Sequence, residues 1–137
     1  MKIKEMEPVP KKKYGQIIRN GVKTNTLEDG TVLYFARLGY DIELIKPTSI
    51  EKTNNPDILM FGAIWEIKTL QTYNSKTIKK RFHKASKQAS KIIFDLRNVD
   101  RYDKQVEKQI IELFKGNSNV NRLILIRKSG ETLDIFK

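Results

Sequence analysis

The chain has no cysteine. That excludes disulfides, thiolate zinc sites, iron–sulfur ligation and a Cys nucleophile. A single histidine, His83, cannot build a multi-histidine metal site. Any metal must therefore be held by oxygen ligands. No apolar run approaches the roughly 18 residues of a membrane span, and the opening MKIKEMEPVPKKK has no apolar signal-peptide core. Acidic side chains are also scarce. Sixteen Asp and Glu stand against 27 Lys and Arg, a formal charge of +11 on 137 residues. Such an excess destabilises a compact chain by self-repulsion, and a natural reason to keep it is an anionic partner, nucleic acid first and an acidic membrane surface second. What is present suffices for one domain. Apolar residues make up 39% and aromatics 9%, too apolar for a disordered chain and long enough to bury one core.

Residues 1–24 read as a basic N-terminal arm or linker, with Pro8, Pro10, the run Lys11-Lys12-Lys13 and no sustained apolar period. The domain proper is expected over 25–137. Thr26 to Leu38 has a helical pattern, with Thr26 as cap, Asp29 at the capping-box position and Gly39 closing it. Asp41–Ile45 alternates as a strand stopped by Pro47, and 48–56 is a polar loop. Asp57–Phe61 and Ile64–Leu70, separated by a tight turn containing Gly62, predict a β-hairpin. Ser75–Lys91 predicts a helix with a buried stripe of Ile78, Phe82, Ala85, Ala89 and Ile92. Lys91–Leu96 follows as a strand, Tyr102–Phe114 as a helix ended by Gly116, and Arg122–Ile126 with Thr132–Phe136 as a closing strand pair. The order α-β-β-β-α-β-α-β-β implies a single-domain α/β (α+β) fold, a mixed sheet with helices packed on it.

The hairpin is the most informative stretch for chemistry. If Phe61 and Gly62 form the turn, Asp57 faces Glu66; if Gly62 and Ala63 do, Asp57 faces Lys68. Either register places Asp57, Glu66 and Lys68 on one face, because strand side chains alternate. A three-residue loop would move Asp57 to the other face. The opposite face is apolar, with Ile58, Met60, Trp65 and Ile67. Two adjacent carboxylates repel unless a positive group sits between them, and carboxylate oxygens suit Mg²⁺ or Mn²⁺. The bland alternative is a surface salt-bridge cluster, which is worth little. Glu28 falls on an apolar helical stripe with Val32, Phe35 and Ala36, so its carboxylate faces inward and needs a partner. Capping its own helix is one role, and a third oxygen for a metal is another.

Pro56-Asp57, then Glu66-Ile67-Lys68 after eight intervening residues, preceded by a helix bearing Glu28, resembles the motif of the restriction-endonuclease-like, PD-(D/E)XK nucleases. The ordered set from Leu27 to the C-terminus is similar, more narrowly, to the C-terminal tRNA-nuclease toxin domains of contact-dependent growth-inhibition proteins. It includes Gly39-Tyr40-Asp41-Ile42, Trp65-Glu66-Ile67-Lys68, and a basic helix with Lys87-Gln88-Ala89 leading into Ile92-Ile93-Phe94-Asp95-Leu96. The resemblance implies that Asp57 and Glu66 hold the metal with the backbone carbonyl of Ile67. It also implies that Glu28 completes the site, through water, and that Lys68 orients the attacking water. It further implies a cytoplasmic site of action, delivery as part of a larger secreted toxin, and an acidic immunity protein as partner.

From Gln71 to Phe94 there are seven Lys or Arg and no acid. Lys80, Lys84, Lys87, Gln88 and Lys91 share a helical face, and with Lys76 and Arg81 they form the expected nucleic-acid contact set. His83 reads as a helix-surface residue. The expected activity is metal-dependent hydrolysis of phosphodiester bonds, with tRNA favoured over DNA as substrate. The rivals are a non-catalytic basic nucleic-acid-binding module and an accessory protein of a phage or mobile element.

Overall fold

A computed structural model describes residues 1–10, 12–46, 57–100 and 104–137. These form eight strands and three helices in a mixed α+β arrangement: β1 (Lys2–Glu5), β2 (Ile17–Ile18), α1 (Thr26–Arg37), β3 (Ile42–Ile45), β4 (Asp57–Met60), β5 (Ala63–Thr69), α2 (Ser75–Gln88), β6 (Lys91–Asp95), α3 (Lys104–Lys115), β7 (Arg122–Ile126) and β8 (Thr132–Phe136). No described helix is long and apolar enough to cross a membrane. The polar loop expected at 48–56, with Pro56 of the motif, and the helix start expected at Tyr102 lie outside the described residues.

The chain divides into two compact units, Glu7–Ile67 and Met1–Met6 with Lys68–Lys137. In Glu7–Ile67, β2 pairs parallel with β3, and β3-β4-β5 is an antiparallel run. One face of these strands is apolar and buried. Ile42, Leu44, Ile58, Met60, Trp65 and Ile67 are sealed from solvent, as are Val32 and Phe35 of α1, and α1 packs on β3. Trp65 donates its indole N–H to the carbonyl of Met60 at 3.0 Å, so the buried ring leaves no polar atom unmet.

In the other unit, β6 and β7 are parallel, β7 and β8 antiparallel, and β1 adds antiparallel to β8. Ile78, Phe82 and Ala85 of α2 and Val106, Ile110 and Phe114 of α3 close over Ile92, Phe94, Leu123 and Leu125. Phe82 stacks on Phe94 with centroids 5.9 Å apart. Gln109 of α3 donates to the carbonyl of Ser75 and ties the two helices.

Four sequence expectations meet a different arrangement. First, residues 1–24 contribute β1 and β2, and the stretch between them is bonded to distant backbone. Val9 donates to the carbonyl of Leu38 at 2.7 Å, and Gly15 to that of Ala36 at 2.6 Å. A Cβ at Gly15 would lie 1.8 Å from the Tyr40 carbonyl oxygen, so only glycine permits this approach.

Second, α1 is capped by Asn25 rather than Thr26. The capping-box acid is then Glu28, three residues on, and not Asp29. Asp29 instead accepts from the Thr24 hydroxyl and pairs with Arg19 at 3.0 Å, which hold its carboxyl below the ordinary range. Third, α2 stops at Gln88. Ala89 is already extended, and the β-branched pair Ile92-Ile93 begins burying as strand. Fourth, Lys91 consequently leaves the helical face. It lies half-buried on β6 and donates to Asn121 Oδ1 at 3.3 Å.

Candidate active site

The β4-β5 hairpin turns through Phe61 and Gly62, with φ of 57° and 69°. Two successive positive φ values give the primed twist that a two-residue hairpin needs. Of the two registers left open by the sequence, the first is the one formed. Met60 faces Ala63, Leu59 faces Ile64, Ile58 faces Trp65, and Asp57 faces Glu66. Directly opposed side chains on a sheet have Cβ atoms about 5 Å apart. Asp57 and Glu66 are therefore neighbours across the ladder, with Ile45 of β3 next in the row. Lys68 lies one pleat beyond Glu66 on β5 and on the same face.

Burial separates this trio from a solvated ion-pair cluster. Glu66 is 1% exposed, Lys68 5%, and Asp57 is half-buried. Charged groups are almost never buried this deeply unless paired or hydrogen-bonded, and each of these three does have an interaction partner. Ile64, only two residues before Glu66, is 53% exposed, so burial rises steeply along the strand towards the carboxylate. The side chain of Ile67 points to the apolar face, and its backbone carbonyl sits between Glu66 and Lys68 in the chain.

Glu28 is buried on the inward stripe of α1, as its spacing requires. Its carboxylate accepts the Asn25 N–H at 2.9 Å, and its own N–H donates to Asn25 Oδ1 at 2.8 Å. Glu28 thus has its partner within the capping box. Among the described residues no three His, Asp or Glu side chains gather closely enough to hold a metal ion. The hairpin brings Asp57 and Glu66 together, and Glu28 does not join them in a three-carboxylate group.

On α2, Lys76, Lys80, Arg81, Lys84, Lys87 and Gln88 are exposed, as expected for the contact set, and His83 is exposed as well. Asn74 caps the helix by accepting from the N–H groups of Lys76 and Thr77. Arg81 donates to the carbonyl of Thr69 at 2.7 Å. That bond fastens the basic helix to the strand end next to Lys68. Lys79, outside the expected set, lines a groove with Lys76, Lys80 and His83 that only the packing of α3 creates. Nothing in the α2 sequence alone signals it.

The model of the contact-dependent growth inhibition CdiA C-terminal domain matches residues 53–132, more than half of the chain, and the chain belongs to that family. The matched span includes the hairpin, α2 and α3. Among solved structures, the fold is similar to a chain of the CdiA-CT/CdiI toxin and immunity complex from Burkholderia pseudomallei, with a TM-score of 0.66 and 22% identity over 90% of this chain and all of that one. Among curated proteins no sequence matches.

Proposed function

We propose that this growth-inhibition toxin domain is a metal-dependent nuclease of the PD-(D/E)XK type, acting on tRNA. The observation that carries the reading is the in-register pair of Asp57 and Glu66, with Glu66 buried and Lys68 one pleat along. Two opposed carboxylates beside a backbone carbonyl are a hard-oxygen donor set. They fit Mg²⁺ or Mn²⁺, which is commonly held by one or two carboxylates while water fills its other positions. Asp57, Glu66 and the Ile67 carbonyl would hold the ion, and Glu28 would reach it only through water. Such an ion, when bound, lowers the pKa of its water and offsets charge developing on phosphorus.

The chain's own groups supply the rest. The Lys68 ammonium, its stem buried and its position fixed by the strand, donates hydrogen bonds to the attacking water and to a non-bridging phosphate oxygen. The exposed lysines of α2 attract and hold the phosphate backbone, so binding should weaken steeply with salt. An acidic immunity protein would cover this positive surface, and the domain would reach the cytoplasm of a target cell as part of a larger secreted toxin.

The test is incubation of the purified protein with total tRNA and with supercoiled plasmid, with Mg²⁺ or Mn²⁺ and with EDTA. The expected result is metal-dependent cleavage of tRNA. Cleavage of plasmid alone moves the substrate to DNA. Two intact substrates with either metal overturn the hydrolytic reading and leave a binding module.

A further inference from the structure

The α2-α3 packing leaves a groove of about 580 Å³, a size typical of ligand sites. Lys76, Lys79, Lys80 and His83 form one wall. Their spacing of three, four and seven places them on one helical face. Leu113 and Gly116 contribute the apolar floor at the end of α3. The one acid lining the groove, Glu112, lies 3.6 Å from the Lys115 amine and is already paired. The groove is thus cationic on its rim and apolar at its base. It adjoins the row of Lys80, Lys84 and Lys87: Lys80 belongs to both, and Lys87 stands one turn beyond His83 on the same side of α2.

We infer that this groove is a second nucleic-acid site, one that takes an unpaired nucleotide: a base on the floor and flanking phosphates on the lysines. The proposal rests on the nucleic-acid reading above and deepens it. Lys76 and Lys80 stand one turn apart, about 6 Å along the helix, comparable to the step from one phosphate to the next in an extended strand. An apolar floor favours a ligand with an exposed apolar face. A paired base hides that face in its stack, and an unpaired base offers it. A carboxylate-rich protein segment bearing an apolar side chain is the competing occupant, and the experiment separates the two.

The experiment measures binding by fluorescence anisotropy in EDTA, with the full chain. The probes are a short unstructured RNA oligonucleotide and a fully paired hairpin of the same length. Gly116→Leu fills the groove without changing charge. A Cβ there meets only the carbonyl oxygens of Glu112 and Leu113, at 3.6 and 4.0 Å, so the backbone accepts it. Lys79→Glu reverses the rim, and Lys108→Glu reverses a lysine of α3 that does not line the groove. Wild type should prefer the unstructured RNA. Gly116→Leu and Lys79→Glu should each weaken it about fivefold or more, the loss of one base contact, with thermal midpoints unchanged. Lys108→Glu should weaken it less than about twofold.

Wild-type-like binding by both groove variants overturns the site. Equal losses for Lys79→Glu and Lys108→Glu, or equal affinity for the hairpin, also overturn it, leaving diffuse attraction. Displacement of a poly-glutamate peptide but not of RNA by the groove variants would give the groove to an acidic protein instead. Because metal is absent, groove binding with no cleavage activity sinks the hydrolytic reading alone. Metal-dependent cleavage with groove variants that bind normally sinks only this one.

Discussion

Residues Glu7–Ile67 carry eight Lys and Arg against eight Asp and Glu, whereas Met1–Met6 with Lys68–Lys137 carry nineteen against eight. The whole +11 therefore belongs to one unit, and the other is neutral. The neutral unit holds Asp57, Glu66 and Glu28. The basic unit holds α2 with its lysines, and the amine of Lys68. Of the basic unit's lysines, Lys68 is the one that lies on β5 with Glu66. On the proposed nuclease reading, confining the surplus charge to one unit would separate long-range attraction of a polyanion from the chemistry at the carboxylates.

The sharpest way to test that division is to disable each side in turn. Glu66→Gln and Lys68→Ala should each lower tRNA cleavage about 10²- to 10³-fold, the usual cost of removing a group that stabilises transition-state charge. Affinity measured in EDTA should barely change. If binding falls as far as cleavage, the carboxylate pair is structural and the division fails. Lys84→Glu with Lys87→Glu should do the reverse: weaker binding, and a log–log salt slope shallower by about 1.4 to 1.8, from titrations at several salt concentrations. An unchanged slope would mean that these exposed lysines do not touch phosphate.

Two further variants probe how the neutral unit is held together without a charge surplus. Gly15→Ala drives a methyl into the Tyr40 carbonyl, 1.8 Å away, and should cost about 3 kcal/mol in a denaturant titration. A near-neutral effect would show that residues 7–16 contribute nothing to the unit's stability. Asn25→Ala removes one half of the capping box and should cost about 1 kcal/mol. If it also lowers cleavage markedly with no loss of fold, Glu28 is reaching the hairpin site as well as its own helix.

The hairpin was legible because its information is local. Given a two-residue turn, alternation fixes which side chains share a face; the loop length and the choice between two registers were left open. Phe61 closed that choice by adopting φ of 57°, a conformation its side chain gives no reason to expect. The helix start shows the opposite situation. Asn25 and Thr26 are both competent caps, with Glu28 or Asp29 as the matching acid. Arg19 and Thr24, brought back from an earlier loop, occupy Asp29 and so decide for Asn25. The stretch from Val9 to Gln16 carries no period to read, because Val9, Gly15 and Gln16 donate their N–H groups to the carbonyls of Leu38 and Ala36 and to the carboxylate of Asp41, twenty or more positions away.

From its residues alone the chain determined its three helices, the apolar and charged sides of its hairpin, and the run of seven Lys and Arg without an acid from Gln71 to Phe94, since each depends on neighbours a few positions apart. Tertiary contact decided the rest. It set the burial of Glu66 and Lys68, the enrolment of the first residues into two different units, the gathering of all surplus charge in one of them, and the groove that α3 makes of a plain basic helix. These depend on which distant segments meet, and alternation along a strand or a helix carries no record of that.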